Sequence, residues 1–181
     1  MTESPAHVHE FDWPDRVVVG TIGRPGARTF YLQVRAGSRI MSVALEKQQA
    51  AIMAETIDEI LDELLALEGN PHSVPADSPA ELVDTDPLDP VQERFRVGAI
   101  GLGWDPTTAQ VVVEVHPLVD DEVDQVLEAE SEAVVVRMPV GAARAFTRRT
   151  REVVDAGRPI CSDCGQPMDP DGHDCTPPEL R

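Results

Sequence analysis

The chain carries one nine-residue phrase twice, as DRVVVGTIG at residues 15–23 and as ERFRVGAIG at residues 93–101. Both read acid-Arg-x-x-Val-Gly-x-Ile-Gly, and both stand at the head of the same longer pattern. After the first come β-favouring runs at 16–22, 29–34 and 39–45, then an apolar stripe of Ile52, Met53, Ile57, Ile60, Leu61, Leu64 and Leu65 at helical spacing, stopped by Gly69, Asn70 and Pro71. After the second come runs at 94–100, 110–115 and 133–138 and a helical pattern over 140–156. Setting Val43 against Val136 also pairs Leu45 with Met138, Met53 with Phe146, Ile60 with Val153 and Leu61 with Val154, so the buried stripes stay in step.

A βββα unit has one sheet face and one helix stripe to hide, and two units side by side cover more than either alone. The expected fold is therefore α+β: two tandem βββα repeats with a mainly antiparallel sheet and packed helices, plus a small C-terminal zinc knuckle. The organisation reads as an N-terminal tail at 1–14, a first repeat at 15–68, a linker at 69–92, a second repeat at 93–157 with an acidic insertion at 117–132, and a knuckle tail at 158–181. The linker reading rests on composition, since EGNPHSVPADSPAELVDTDPLDPVQ holds five prolines, many acids and few large apolar groups, which describes a mobile connection.

The 33 acidic against 15 basic residues give a net charge of -18, which repels phosphate backbones and sets nucleic acid aside as a partner. No apolar run approaches the roughly 20 residues of a membrane helix, and the first residues lack the basic and apolar regions of a secretory leader. A soluble cytoplasmic protein is expected.

All three cysteines fall in CSDCGQPMDPDGHDC, where Cys161, Cys164, His173 and Cys175 are spaced C-x2-C-x8-H-x-C. Two thiols on a turn closed by Gly165 can grip one side of a tetrahedral ion, and the turn at Pro170 and Gly172 can return His173 and Cys175 to the other. Four such ligands suit Zn2+ and leave no position for a catalytic water, so the zinc is read as structural; free thiols or a redox pair are the competing reading.

On the second helix Arg144, Arg148, Arg149 and Arg151 form a basic patch, in which Arg144 and Arg148 stand one turn apart and could hold a phosphate or carboxylate. The plainer alternative is that the patch neutralises the acidic residues 120–132. Gly98, Gly101 and Gly103 have the wrong order for a dinucleotide fingerprint and lead into another strand. His116 beside Glu114, and Glu46 to Gln49, make no catalytic constellation; a strand-end histidine and an exposed first helical turn account for them.

HEFDWPDRVVVGTIGRPGARTFYLQV, SVALEKQQAAIMAETIDEIL, FRVGAIGLGWD and CSDCGQPMDPDGHDC together resemble an uncharacterised actinobacterial family, the domain-of-unknown-function family numbered 3090. The resemblance implies a cytoplasmic protein often encoded beside a phosphomutase-like histidine phosphatase and a protein resembling lipid or protein kinases. It supplies no catalytic residue and no substrate. Members tend to end in a short basic stretch containing Asn-Gly, whereas this sequence ends TPPELR.

Two functions remain. One is a non-enzymatic adaptor or regulator whose knuckle docks a protein partner, one of those neighbours being a candidate; the other is an enzyme or sensor taking a phosphorylated or carboxylated small molecule between the repeats. The oligomeric state is left open.

Overall fold

The computed structural model describes residues 7–24, 26–119, 132–156, 161–165 and 175. Its elements are β1 (His7–Asp12), β2 (Arg16–Ile22), β3 (Thr29–Ala36), β4 (Arg39–Leu45), α1 (Lys47–Leu65), one turn of 3-10 helix (Ala80–Leu82), β5 (Glu93–Asp105), β6 (Gln110–Pro117), β7 (Glu132–Pro139) and α2 (Val140–Asp155). The architecture is mixed α+β, with all seven strands in one sheet of order β1-β7-β6-β5-β4-β3-β2.

Short connections force antiparallel neighbours, as in β2-β3-β4 and β5-β6, and β7 also runs antiparallel to β6. The long return through α1 and residues 66–92 brings β5 alongside β4 in parallel. At the far edge β1 adds to β7, also in parallel.

The sheet bends back on itself. β1 and β4 stand four positions apart, about 19 Å in a flat sheet at the usual strand spacing, yet Arg39 Nη2 on β4 donates to Glu10 O on β1 at 2.8 Å. The same guanidinium lies 4.1 Å over the Phe11 ring. Alternate residues on the concave face then converge: Phe11, Phe30, Leu32, Val34, Val43, Val113 and Val136 join Met53, Ile57 and Leu61 of α1 and Phe146 of α2 in one buried cluster. No helix among the described residues is long and apolar enough to cross a membrane.

α1 is tied to the sheet at its start. Glu46 N–H donates to Gln49 Oε1 at 2.8 Å, and Gln49 Nε2 donates to Val97 O at 3.1 Å and Gly98 O at 3.2 Å. These carbonyls sit where the β5–β6 pairing breaks register between Val97 and Ile100. Gln49 therefore braces the sheet rather than filling an exposed first turn.

Two readings of the sequence need correction. Residues 7–12, placed in an N-terminal tail, form the edge strand β1, and its Phe11 is fully buried. Residues 69–92, read as a mobile linker, form a strap that starts against the core, where Val74 joins the buried cluster and Pro75 and Ser78 bond to Arg144 of α2, and ends with Leu88 and Asp89 on the sheet face opposite that cluster. Buried Gln33 donates to Asp89 O at 3.0 Å and accepts from Asp89 N–H at 2.8 Å. Leu88 fills the space above Gly20, where a Cβ would come within 2.6 Å of the leucine. Val74 is buried at the far end, held by two hydrogen bonds to the Asn70 side chain. Prolines and acids make the strap polar without making it free. Most of the acidic insertion, residues 120–131, lies outside the described residues.

Candidate metal centre

Cys161, Cys164 and Cys175 place their Sγ atoms within 4.8 Å of one another, and the Cys161 and Cys175 sulfurs are 3.7 Å apart. That spacing is too long for a disulfide, which needs about 2.05 Å. It is the edge of a tetrahedron about an ion with metal–sulfur bonds of about 2.3 Å, which comes to about 3.8 Å.

The local chain explains the grouping. Gly165, at φ 70°, closes a turn in which its N–H donates to Cys161 O at 2.9 Å. The backbone N–H groups of Cys164 and Asp163 point at the Cys161 sulfur and pull its pKa down to about 7. Three sulfur donors select thiophilic ions and discriminate against Mg2+ and Ca2+. His173, the fourth ligand expected from the sequence, lies outside the described residues.

The arginine pair of α2 is not brought together. Arg144 is buried between the helices, with Nη1 on Asp58 Oδ1 at 2.9 Å, Nε on Pro75 O at 2.9 Å, and Nη2 on Asp62. Its guanidinium is thus enclosed by α1 and the strap. Arg148 is exposed and donates to Glu152 Oε1 at 2.7 Å, one turn along its own helix. An anion held between Arg144 and Arg148 has no place here, and the carboxylates that Arg144 neutralises belong to α1. His116 and Glu114 share a face as alternation requires, at 3.0 Å, and both are half-buried.

A second constellation escaped the sequence reading altogether. Arg16 on β2 donates through Nε to Asp84 Oδ2 at 2.6 Å and through Nη1 to Asp89 Oδ2 at 3.1 Å. Arg35 on β3 reaches the same Asp89 oxygen at 3.0 Å. Arg149 on α2 donates from Nη1 to Asp84 Oδ1 at 3.1 Å and from Nε to Val19 O at 2.9 Å. The result is a chain, Arg35–Asp89–Arg16–Asp84–Arg149, that fastens the strap to β2, β3 and α2. The available signal was the Asp15-Arg16 opening of the repeated phrase, but nothing local pointed to Asp84.

These contacts have a pH signature. Burial raises the Asp84 pKa, but Arg16, the Asp86 N–H and Arg149 outweigh it and hold the carboxyl below its ordinary value. Glu132 likewise falls below its own, burial being overcome by Arg94 and His9. A carboxyl with a depressed folded pKa stabilises the fold above its unfolded value of about 4 and loses that contribution as pH falls through the folded value. Urea unfolding is therefore expected to show these contributions intact from pH 7 to about 5 and falling below about pH 4. Asp84→Asn should flatten the acid limb, and an unchanged limb in that variant would exclude Asp84 as its source.

The chain belongs to the family described as Protein of unknown function (DUF3090), whose model matches residues 9–175. No curated protein and no solved structure matches it.

Proposed function

We propose that the protein is a non-enzymatic, zinc-binding adaptor or regulator of the cytoplasm, in which Cys161, Cys164, His173 and Cys175 close a structural zinc site that presents a rigid surface to a protein partner. The observation that carries the reading is the grouping of three sulfurs within 4.8 Å of one another, the Cys161 and Cys175 pair at 3.7 Å, with Cys161 and Cys164 on one turn whose N–H groups favour the Cys161 thiolate. A fourth protein ligand leaves no open coordination position, which suits structure and docking better than turnover. The order of three strands and a helix in each half, headed by the same phrase, supports the further reading that the body arose by duplication of a βββα unit.

Native mass spectrometry of the purified chain should find one zinc ion per molecule without added metal. Cys161→Ser or Cys164→Ser should lose the ion and leave the far-ultraviolet circular dichroism of the body nearly unchanged, because no residue of the turn belongs to the main buried cluster. Metal-free protein with freely titrating thiols would refute the zinc reading. The docking half has its own test: the phosphatase-like and kinase-like neighbours should be retained by the intact chain and not by the Cys161→Ser protein, and retention of neither counts against docking.

A further inference from the structure

β5 outruns the strand beside it. It pairs with β4 through Glu93 and Arg96, where β4 is about to end at Leu45, and among the described residues 97–105 have a strand partner only in β6. That free stretch is about 27 Å long at the usual strand rise. Every second residue of a strand turns its N–H and C=O away from a given neighbour, so the stretch presents a row of backbone donors and acceptors on its α1 side. Gln49 Nε2 meets the first of them, Val97 O at 3.1 Å and Gly98 O at 3.2 Å. Beyond Gly98 no described residue bonds to that edge.

Alongside the edge lies a groove of about 360 Å3, with Ile52, Met53 and Thr56 of α1 on one wall and Gly98, Ile100 and Leu102 of β5 on the other. The walls run the same way: Gln49 meets Gly98 at one end, and His72, beyond the end of α1, stacks edge-on against Trp104 at the other, ring centres 5.0 Å apart. β5 is also bare. A Cβ at Gly101 would meet nothing nearer than 3.8 Å and one at Gly103 nothing within 4 Å, and neither glycine has a positive φ. Glycine weakens a strand interior, so glycine that neither crowding nor φ demands fits a second backbone drawn up alongside. The rim is acidic. Ile52, which is 52% exposed, is followed by Glu55, Glu59 and Glu63 at spacings of three and four along α1, and these exposed glutamates have no cation paired to them among the described residues. Arg144 and Arg151 are taken by Asp58 and Asp62, Arg96 by Glu46, and Lys47 stands about half a turn round the helix from Gln49.

We propose that this groove takes up an extended, basic peptide segment of a partner protein, which adds as a strand to the free edge of β5. Every second side chain of the segment is apolar and seats between α1 and β5, and the Lys or Arg side chains between them meet Glu59 and Glu63. The peptide backbone supplies the ladder that β4 is too short to give. A second copy of this chain is a poor occupant, because each copy carries a net charge of -18. The surface shares no residue with the cysteine turn, so it goes beyond the docking proposed for the metal centre.

The test uses the full chain and the fluorescein-labelled peptide Lys-Val-Lys-Val-Lys-Val-Lys, followed by fluorescence anisotropy. Binding should be saturable and should slow amide hydrogen exchange at residues 97–105. The counterpart with glutamate for lysine should not bind. N-methylation of the three valines, or of the lysines between them, should abolish binding in one of the two cases, because one set of N–H groups faces β5. Ile52→Lys alters an exposed residue and should weaken the peptide at least about tenfold, as should Glu59→Gln with Glu63→Gln. The Cys161→Ser protein should bind as the parent does, so this proposal and the metal reading stand or fall separately. No saturable binding, equal binding of the glutamate peptide, binding of both N-methylated peptides, or undiminished binding by Ile52→Lys overturns the proposal. A concentration-dependent dimer that Ile52→Lys disperses would overturn it too, by giving the groove to a second copy.

Discussion

Replacing Asp84 by Ala is expected to lower stability by about 3–5 kcal/mol, the range for removing one partner of a buried ion pair. The reason lies in what is left behind. Arg16 and Arg149 have side chains only 8% exposed, and Asp84 is the carboxylate they share. Without it Arg16 keeps Asp89 and two strap carbonyls, but Arg149 keeps only the carbonyl oxygens of Val19 and residue 84. At about 2–4 °C per kcal/mol for a chain of this size, Tm should fall by about 6–20 °C. Asp89→Ala should cost less, because Arg35 is partly exposed and Arg16 still holds Asp84. Urea denaturation of both variants checks the order. A loss below about 1 kcal/mol for Asp84→Ala would mean that water already screens the two arginines, and the ion-pair chain would then be a surface feature.

Periodicity is a property of neighbouring residues, which is why the elements on either side of the strap were legible. Val17 to Val19, Phe30 with Leu32 and Val34, and the stripe Met53, Ile57, Leu61 each announce a strand face or helix face from within one segment. The cysteine spacing is equally local, and the structure gathers three of its four members. What could not be read depends on partners far along the chain. In HVHEFD only Phe11 is buried, and its place is settled by β7, more than a hundred residues away. Asp84 and Asp89 look like solvating acids until Arg16, Arg35 and Arg149 meet them through the fold. Arg144 and Arg148 share a helix face by spacing alone, yet Asp58 and Asp62 claim one and Glu152 the other. Charge, unlike hydrophobic period, takes its meaning from whatever lies opposite.

The fragment of residues 1–84 should fail to fold as a monomer, although it contains β1 to β4 and all of α1. Its β4 edge would be open where β5 pairs in the whole chain, leaving a strand edge available to a second copy. Its helix would be uncovered on the side that α2 packs, and Ile57 and Leu61, both fully buried in the intact protein, lose part of that cover. Exposing two such side chains forfeits about 1.5–3 kcal/mol each at full loss, against a total stability of only about 5–15 kcal/mol for a whole domain. β1 fares no better, since its partner β7 is missing. Size-exclusion chromatography should therefore show dimers or aggregates, and urea should give a broad transition in place of a sigmoidal one. Adding the fragment of residues 85–181 should restore a 1:1 complex with cooperative unfolding, because the β4–β5 and α1–α2 surfaces are the ones each piece lacks. A soluble 1–84 monomer with a sharp transition would show instead that the first half holds its own core and that the shared sheet is a later docking of two finished domains.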